Sequence, residues 1–145
     1  MKSFNFWRIW ICSMGLILVL MGLVIAFLNQ SDLFKALLGD TINKTFWENG
    51  QVDGSMILFQ QWIYGVLGAT CAALGVLVLF LTIYPFKSRE QWSWICMIVA
   101  ITVWFLPDTF LSFYFGVVIN AVVNIAIYIL ILMPLLFVRK NFIVQ

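Results

Sequence analysis

Asn120 and Asn124 stand four residues apart inside an uncharged apolar run, and an amide in hydrocarbon is costly unless another polar group meets it. Residues at that spacing share one helical face, about one turn apart, so both are expected to turn inward. Counted from an outer helix end near Phe113 at ~1.5 Å per residue, Asn120 lies about 10 Å deep and Asn124 about 16 Å deep. Asp108 closes the preceding apolar tract on the same side, and Gln60 with Gln61 opens an earlier one there. These polar side chains converge on the outer half. With Trp62, Trp104 and Tyr114 they describe an outward-opening pocket floored by Asn124, walled by Asn120 and Gln60 or Gln61, and gated by Asp108. Apolar walls with a few fixed polar groups are the usual make-up of small-molecule sites. The competing role is packing: asparagines hydrogen-bond across helices for ~0.6 kcal/mol each, and Asp108, after Pro107, can cap a turn or the start of the last helix.

Other chemistries are excluded by what is missing. There is no histidine, the commonest general base and metal ligand. Cys12, Cys71 and Cys96 fall in separate apolar tracts with no CxxC pair, so no redox relay is indicated. A small multidrug-type proton antiporter needs a carboxylate in its first helix, and Ile9 to Leu28 has none. A quinone-linked disulfide enzyme needs paired cysteines, and a claudin-like loop needs a W-GLW-C-C pattern absent between Asn29 and Ser55. A zinc or di-iron enzyme needs His or clustered carboxylates within the spans. Asp108 or Glu90 alone, as acid or base, rarely suffices for catalysis, so an enzyme is the least favoured class. No metal, cofactor or nucleic-acid partner is expected.

The elements that hold these residues are membrane spans. The chain is 64% hydrophobic and 10% charged, too little polar surface for a soluble domain, in which about a quarter of residues are charged. Apolar tracts run from Ile9 to Leu28, Met56 to Phe86, Gln91 to Leu106 and Phe110 to Val138. Each approaches the ~20 residues that cross a bilayer. The first follows Lys2 and Arg8, as a signal peptide would, but it exceeds the 7–15-residue core typical of one and no A-x-A site follows, so it is expected to be retained. The fold expected is all-α, one integral membrane domain over residues 1–145 forming a four-helix transmembrane bundle.

Lys2, Arg8, Lys87, Arg89, Arg139 and Lys140 all flank the spans on one side, whereas Lys35 and Lys44 on the other are diluted by Asp32, Asp40, Glu48, Asp53 and Asp108. By the positive-inside rule both termini are cytoplasmic, with Arg89 setting topology rather than binding a lipid phosphate. Trp7, Trp10, Trp62, Trp92, Trp94 and Tyr84 near span ends suit the interface. Short links at Tyr84–Glu90 and Pro107–Ser112 predict that the second, third and fourth helices pack as antiparallel neighbours. The outer loop, residues 29–55, is longer than usual and should be structured. Ser31 or Asp32 can cap a helix carrying Leu33, Phe34, Leu37 and Leu38, with Gly39 as its stop and Asn49-Gly50 as a turn. Asn43-Lys44-Thr45 matches a glycosylation acceptor. Gly15 and Gly22 in the first tract, and Gly68 with Ala72 in the second, mark close helix contact, within the chain or in a homo-oligomer. The tail Asn141–Gln145 is expected to fray.

The second half resembles the DoxX-like group of small bacterial four-helix membrane proteins. The residues concerned are Arg89-Glu90-Gln91-Trp92-Ser93-Trp94, Trp104-Phe105-Leu106-Pro107-Asp108-Thr109, Gly116-Val117-Val118-Ile119-Asn120, Asn124 and Pro134. The resemblance implies a bacterial inner-membrane protein, in some cases accessory to membrane redox enzymes. The expected function is a binding or accessory protein that holds a lipid or another hydrophobic small molecule, or docks on a larger membrane complex. The alternative is a subunit of a small transporter or channel with an Asn/Gln-lined path.

Overall fold

The computed structural model describes residues 2–47 and 50–143, with only the backbone for Lys2 and Ile143. The chain forms α1 (Lys2–Leu28), α2 (Asp32–Phe34), a π-helical turn (Lys35–Gly39), α3 (Asp40–Phe46), α4 (Gly54–Ile83), α5 (Gln91–Tyr114), α6 (Val118–Val138) and α7 (Lys140–Ile143). Among the described residues there is no β-strand. Helices α1, α4, α5 and α6 are long and apolar enough to cross a membrane. At ~1.5 Å per residue they measure about 40, 45, 36 and 31 Å, against a hydrocarbon layer of about 30 Å. Between 17% and 28% of each apolar window is buried, so these helices present most of their surface outward.

The order of packing follows from side-chain size. Along α1 and α4, Gly15, Gly22, Gly68 and Gly75 remove the Cβ atoms that would keep the two backbones apart. A Cβ on Gly22 would lie 2.4 Å from the Ala72 nitrogen, and one on Gly68 would lie 2.4 Å from the Ala26 nitrogen. The glycines therefore seat α1 directly on α4, as small residues do between membrane helices. Helix α1 also touches α6, and α6 packs on α5. Helix α4 lies closest to α1, a nearer partner than the α5 expected from the short Tyr84–Glu90 link. A tight connection fixes only the ends it joins, whereas the glycines bring the α1 and α4 backbones together.

Two span boundaries also shift. Helix α5 runs through Pro107 to Tyr114, where the sequence reading ended it at Leu106, because a proline is tolerated inside a membrane helix. It stops instead at Gly116, whose φ of 74° is the left-handed conformation of a helix terminus. The Val117 N–H donates to the Ser112 carbonyl at 2.8 Å and the Gly116 N–H to the Phe113 carbonyl at 3.1 Å, closing the turn. Helix α6 then begins at Val118 rather than Phe110. At the other boundaries, α1 extends back to Lys2, and α4 covers Gly54–Ile83 in place of Met56–Phe86.

At the end carrying both termini, Phe4, Phe86 and Phe142 form a buried knot, with the Phe86 and Phe142 ring centroids 4.6 Å apart. Arg89, at φ 60°, ends the α4–α5 link and sets its guanidinium 5.1 Å from the Phe4 ring centroid. Residues 141–143 are therefore helical, and Phe142 is packed rather than frayed; Val144 and Gln145 lie outside the described residues. Above the knot, two indoles tie neighbours to α6. Pro134 has no N–H to offer the carbonyl four residues back, and Trp10 of α1 donates to that carbonyl, Leu130, at 3.0 Å. Trp94 of α5 donates to the Leu135 carbonyl at 2.8 Å.

Candidate functional site

The opposite end, where α1 ends and the α5–α6 turn lies, holds two polar assemblies. In the first, Asp108 and Ser112 occupy successive turns of α5, and Asn120 enters from the first turn of α6. Asn120 Nδ2 donates to Asp108 Oδ1 at 2.9 Å and to Ser112 Oγ at 2.8 Å, and Ser112 Oγ donates to the Asp108 carbonyl at 2.6 Å. The three side chains fix one another. Asp108 is thus an interior α5 residue whose carboxylate accepts from α6, in place of the cap expected from its position after Pro107. Because α6 starts at Val118, Asn120 lies about 3 Å and Asn124 about 9 Å from the helix end, shallower than the depths counted from Phe113.

The next layer inward is unusual. Thr109 and Asn124 sit between the Ser112–Asn120 contact and the Phe105–Tyr128 pair, whose rings stack at 4.1 Å. Thr109 Oγ1 and Asn124 Nδ2 are both buried without a hydrogen-bond partner. Asn124 is only 3% exposed. A buried donor left unmade costs about 1–3 kcal/mol, so each of the two calls for a partner. Below them Thr102 and Tyr128 share a hydrogen bond of 3.3 Å.

The second assembly joins the end of α1 to α4 and the α2–α3 arm. Asn29, 6% exposed, donates through Nδ2 to the carbonyls of Ile25 at 3.0 Å and Gln61 at 3.3 Å, stitching α1 to α4. Gln30 Nε2 donates to Asn29 Oδ1 at 3.1 Å, and Gln60 Nε2 donates to Asn43 Oδ1 at 2.8 Å. Around them lies a cavity of about 250 Å³ whose lining includes Tyr64, Lys35 and Asp40. Ser31 caps the arm by accepting from the Phe34 N–H at 3.3 Å. Gly39 does not stop it: the helix widens into the π turn and continues as α3. Phe46 of α3 reaches Phe115 at 6.1 Å between centroids, so the arm spans from this cavity to the α5–α6 turn. Asn43 of the glycosylation match is helical and its amide is engaged. The expected turn at Asn49-Gly50, and Glu48, fall partly or wholly outside the described residues.

The eight residues singled out from sequence thus divide. Asp108 and Asn120 bond directly, Asn124 lies one turn inward, and Trp104 on α5 is partly buried. Gln60 belongs to the second assembly, while Gln61 contributes its backbone carbonyl to Asn29. Trp62 and Tyr114 are exposed, at 61% and 71%. Sequence reasoning did not assign Ser112, Thr109, Asn29 or Asn43 to a polar site. Ser112 was legible as the residue four beyond Asp108, hence on its face; Asn29 only as a polar residue directly ending an apolar run. Outside the spans, Asp53 caps α4. The Ser55 hydroxyl and then the Met56 N–H, both donating to its carboxylate, hold that carboxyl below its ordinary range.

The three cysteines are free, and among the described residues no group of His, Cys, Asp or Glu is placed to hold a metal ion. Compared with protein-family models, curated proteins and solved structures, the chain matches none.

Proposed function

We propose that this protein is a multi-pass protein of the bacterial inner membrane, with both termini cytoplasmic. In this proposal the α5–α6 layer holds the polar end of a lipid-like or other hydrophobic small molecule, in a binding or accessory role within the membrane. The observation that carries it is the pair of buried, unpartnered polar groups, Thr109 Oγ1 and Asn124 Nδ2, next to the Asp108–Ser112–Asn120 cluster. An Asn amide and a Thr hydroxyl offer donors to a carbonyl, ester or hydroxyl oxygen. Asn120 already serves as the amide that joins α5 to α6, through its Nδ2, and Asn124 Nδ2 makes no such bond. The exposed apolar faces around the layer, including Phe110, Phe113 and Val122, suit an acyl chain or a membrane partner. The resemblance to the DoxX-like group and the basic residues at the terminal end favour the location and orientation given.

Mass spectrometry of protein isolated in mild detergent tests the binding. A copurifying amphiphile should accompany the wild type and be lost from Asn124→Leu, in which an apolar side chain of similar size replaces the amide. Equal retention by both proteins would remove the α5–α6 layer as the site.

A further inference from the structure

We propose that the cavity between the end of α1, the α2–α3 arm and the start of α4 is a separate binding site. Its ligand is a zwitterionic headgroup bearing a phosphate and a primary ammonium, the chemistry of phosphoethanolamine. The site lies at headgroup depth. The Asn29–Gln61 contact marks where α1 ends beside α4, so residues 54–60 of α4 project about 10 Å beyond it, and α4 is longer than the hydrocarbon layer by more than that. The arm bonds to this projecting piece through Gln60 Nε2, which donates to Asn43 Oδ1 at 2.8 Å, and one turn inward sets Phe34 at 5.4 Å from Tyr64 between ring centroids.

The π turn positions the charges. In an α-helix, residues five apart point about 140° from each other, so Lys35 and Asp40 would occupy different faces. In the wider turn Lys35–Gly39, closed by the Asp40 N–H on the Lys35 carbonyl, residues five apart fall on one face, and both residues line the same cavity. A cation and an anion thus stand together at the rim, both exposed, over a wall of amides already fixed by one another. Lys35 matches a phosphate and Asp40 a hydrogen-bonding ammonium. A purely anionic group meets repulsion at Asp40, a quaternary ammonium has no N–H for it, and a neutral polyol leaves both charges unused. The cavity volume, about 250 Å³, equals the liquid share of roughly eight waters, suited to a headgroup and too small for a whole lipid. Leu33 and Leu37, exposed on the arm, offer apolar surface to the chains beyond it.

The test is lipid retention from nanodiscs containing equal amounts of phosphatidylethanolamine, phosphatidylcholine and phosphatidylglycerol. Wild-type protein, extracted and analysed by mass spectrometry, should retain the ethanolamine lipid about threefold to fivefold over the others, the equivalent of one exposed charged contact. Lys35→Gln and Asp40→Asn, both at exposed positions, should each bring that ratio toward one, whereas Lys87→Gln, equally exposed at the opposite end of the molecule, should leave it unchanged. Free phosphoethanolamine and a short-chain phosphatidylethanolamine, each added to delipidated protein, distinguish a soluble source from a membrane one. Equal retention of all three lipids, a preference for phosphatidylglycerol, or an ethanolamine preference untouched by either substitution overturns the proposal, as does binding of neither added compound.

Discussion

Replacing Trp10 with Phe should expose an energetic link between two helices that is set by a proline. Pro134 leaves the Leu130 carbonyl of α6 without its usual donor, and the Trp10 indole N–H supplies one from α1 at 3.0 Å. Loss of that donor strands a carbonyl in hydrocarbon, at a cost of about 1–3 kcal/mol by general mutational data and nearer 0.6–2 kcal/mol inside membranes. Trp10→Phe also loses packing, so the informative quantity is the coupling in a double-mutant cycle with Pro134→Ala. The alanine restores an N–H to α6, which can then satisfy Leu130 internally. Trp10→Phe should therefore be costlier in the wild-type background than in the Pro134→Ala background by about 1 kcal/mol, roughly a fivefold change in the folded-to-unfolded ratio. Equilibrium unfolding in mixed micelles, followed by circular dichroism, gives the four free energies. Additive effects of the two substitutions would refute the account of how α1 and α6 are joined.

Three further outcomes are expected. Gly68→Ala places a Cβ 2.4 Å from the Ala26 nitrogen, so α1 and α4 must part by about an ångström; overpacking of this kind costs about 1–3 kcal/mol, readable in the same unfolding assay, while Gly54→Ala, which meets nothing, should be tolerated. Asp53 is held below its ordinary range by Ser55 and Met56, so its capping is complete above the unfolded carboxylate value near 4 and is lost as pH falls through the lower folded value. Hydrogen exchange at the Met56 amide should accelerate, relative to its intrinsic rate, on acidification in the wild type and stay level in Asp53→Asn, whose amide oxygen still caps. Asn120→Leu should release both Asp108 and Ser112 from α6 and lower stability by about 1–2 kcal/mol, whereas a change below a few tenths would mean that the cluster does not bind α5 to α6.

The sequence made the spans legible because twenty apolar residues in a row have few alternatives, and Gly22, Gly68 and Ala72 signalled a close helix contact without saying whether it lay within the chain or between copies. Pro107 misled: in water a proline marks a helix boundary, but in a membrane helix it does not, and the true stop was the left-handed Gly116. That single shift moved Asn120 and Asn124 toward the surface and turned Asp108 from a cap into a bonded interior residue. The division of the polar residues was not legible. Gln60 looks equivalent to Asn120 in a linear count of depth, yet which helix it faces depends on the order of packing, set by glycine contacts distant from it. The π turn carries no sequence signature apart from Gly39, so the meeting of Lys35 and Asp40 at one cavity emerged only from the backbone.

An experimental density map of the protein in a native-lipid nanodisc addresses the α5–α6 layer most directly. The account predicts an elongated density whose polar end lies within about 3 Å of Asn124 Nδ2 and Thr109 Oγ1, and which disappears in Asn124→Leu. A layer closed by direct bonding of those two side chains to the protein, with no such density beside it, would contradict it.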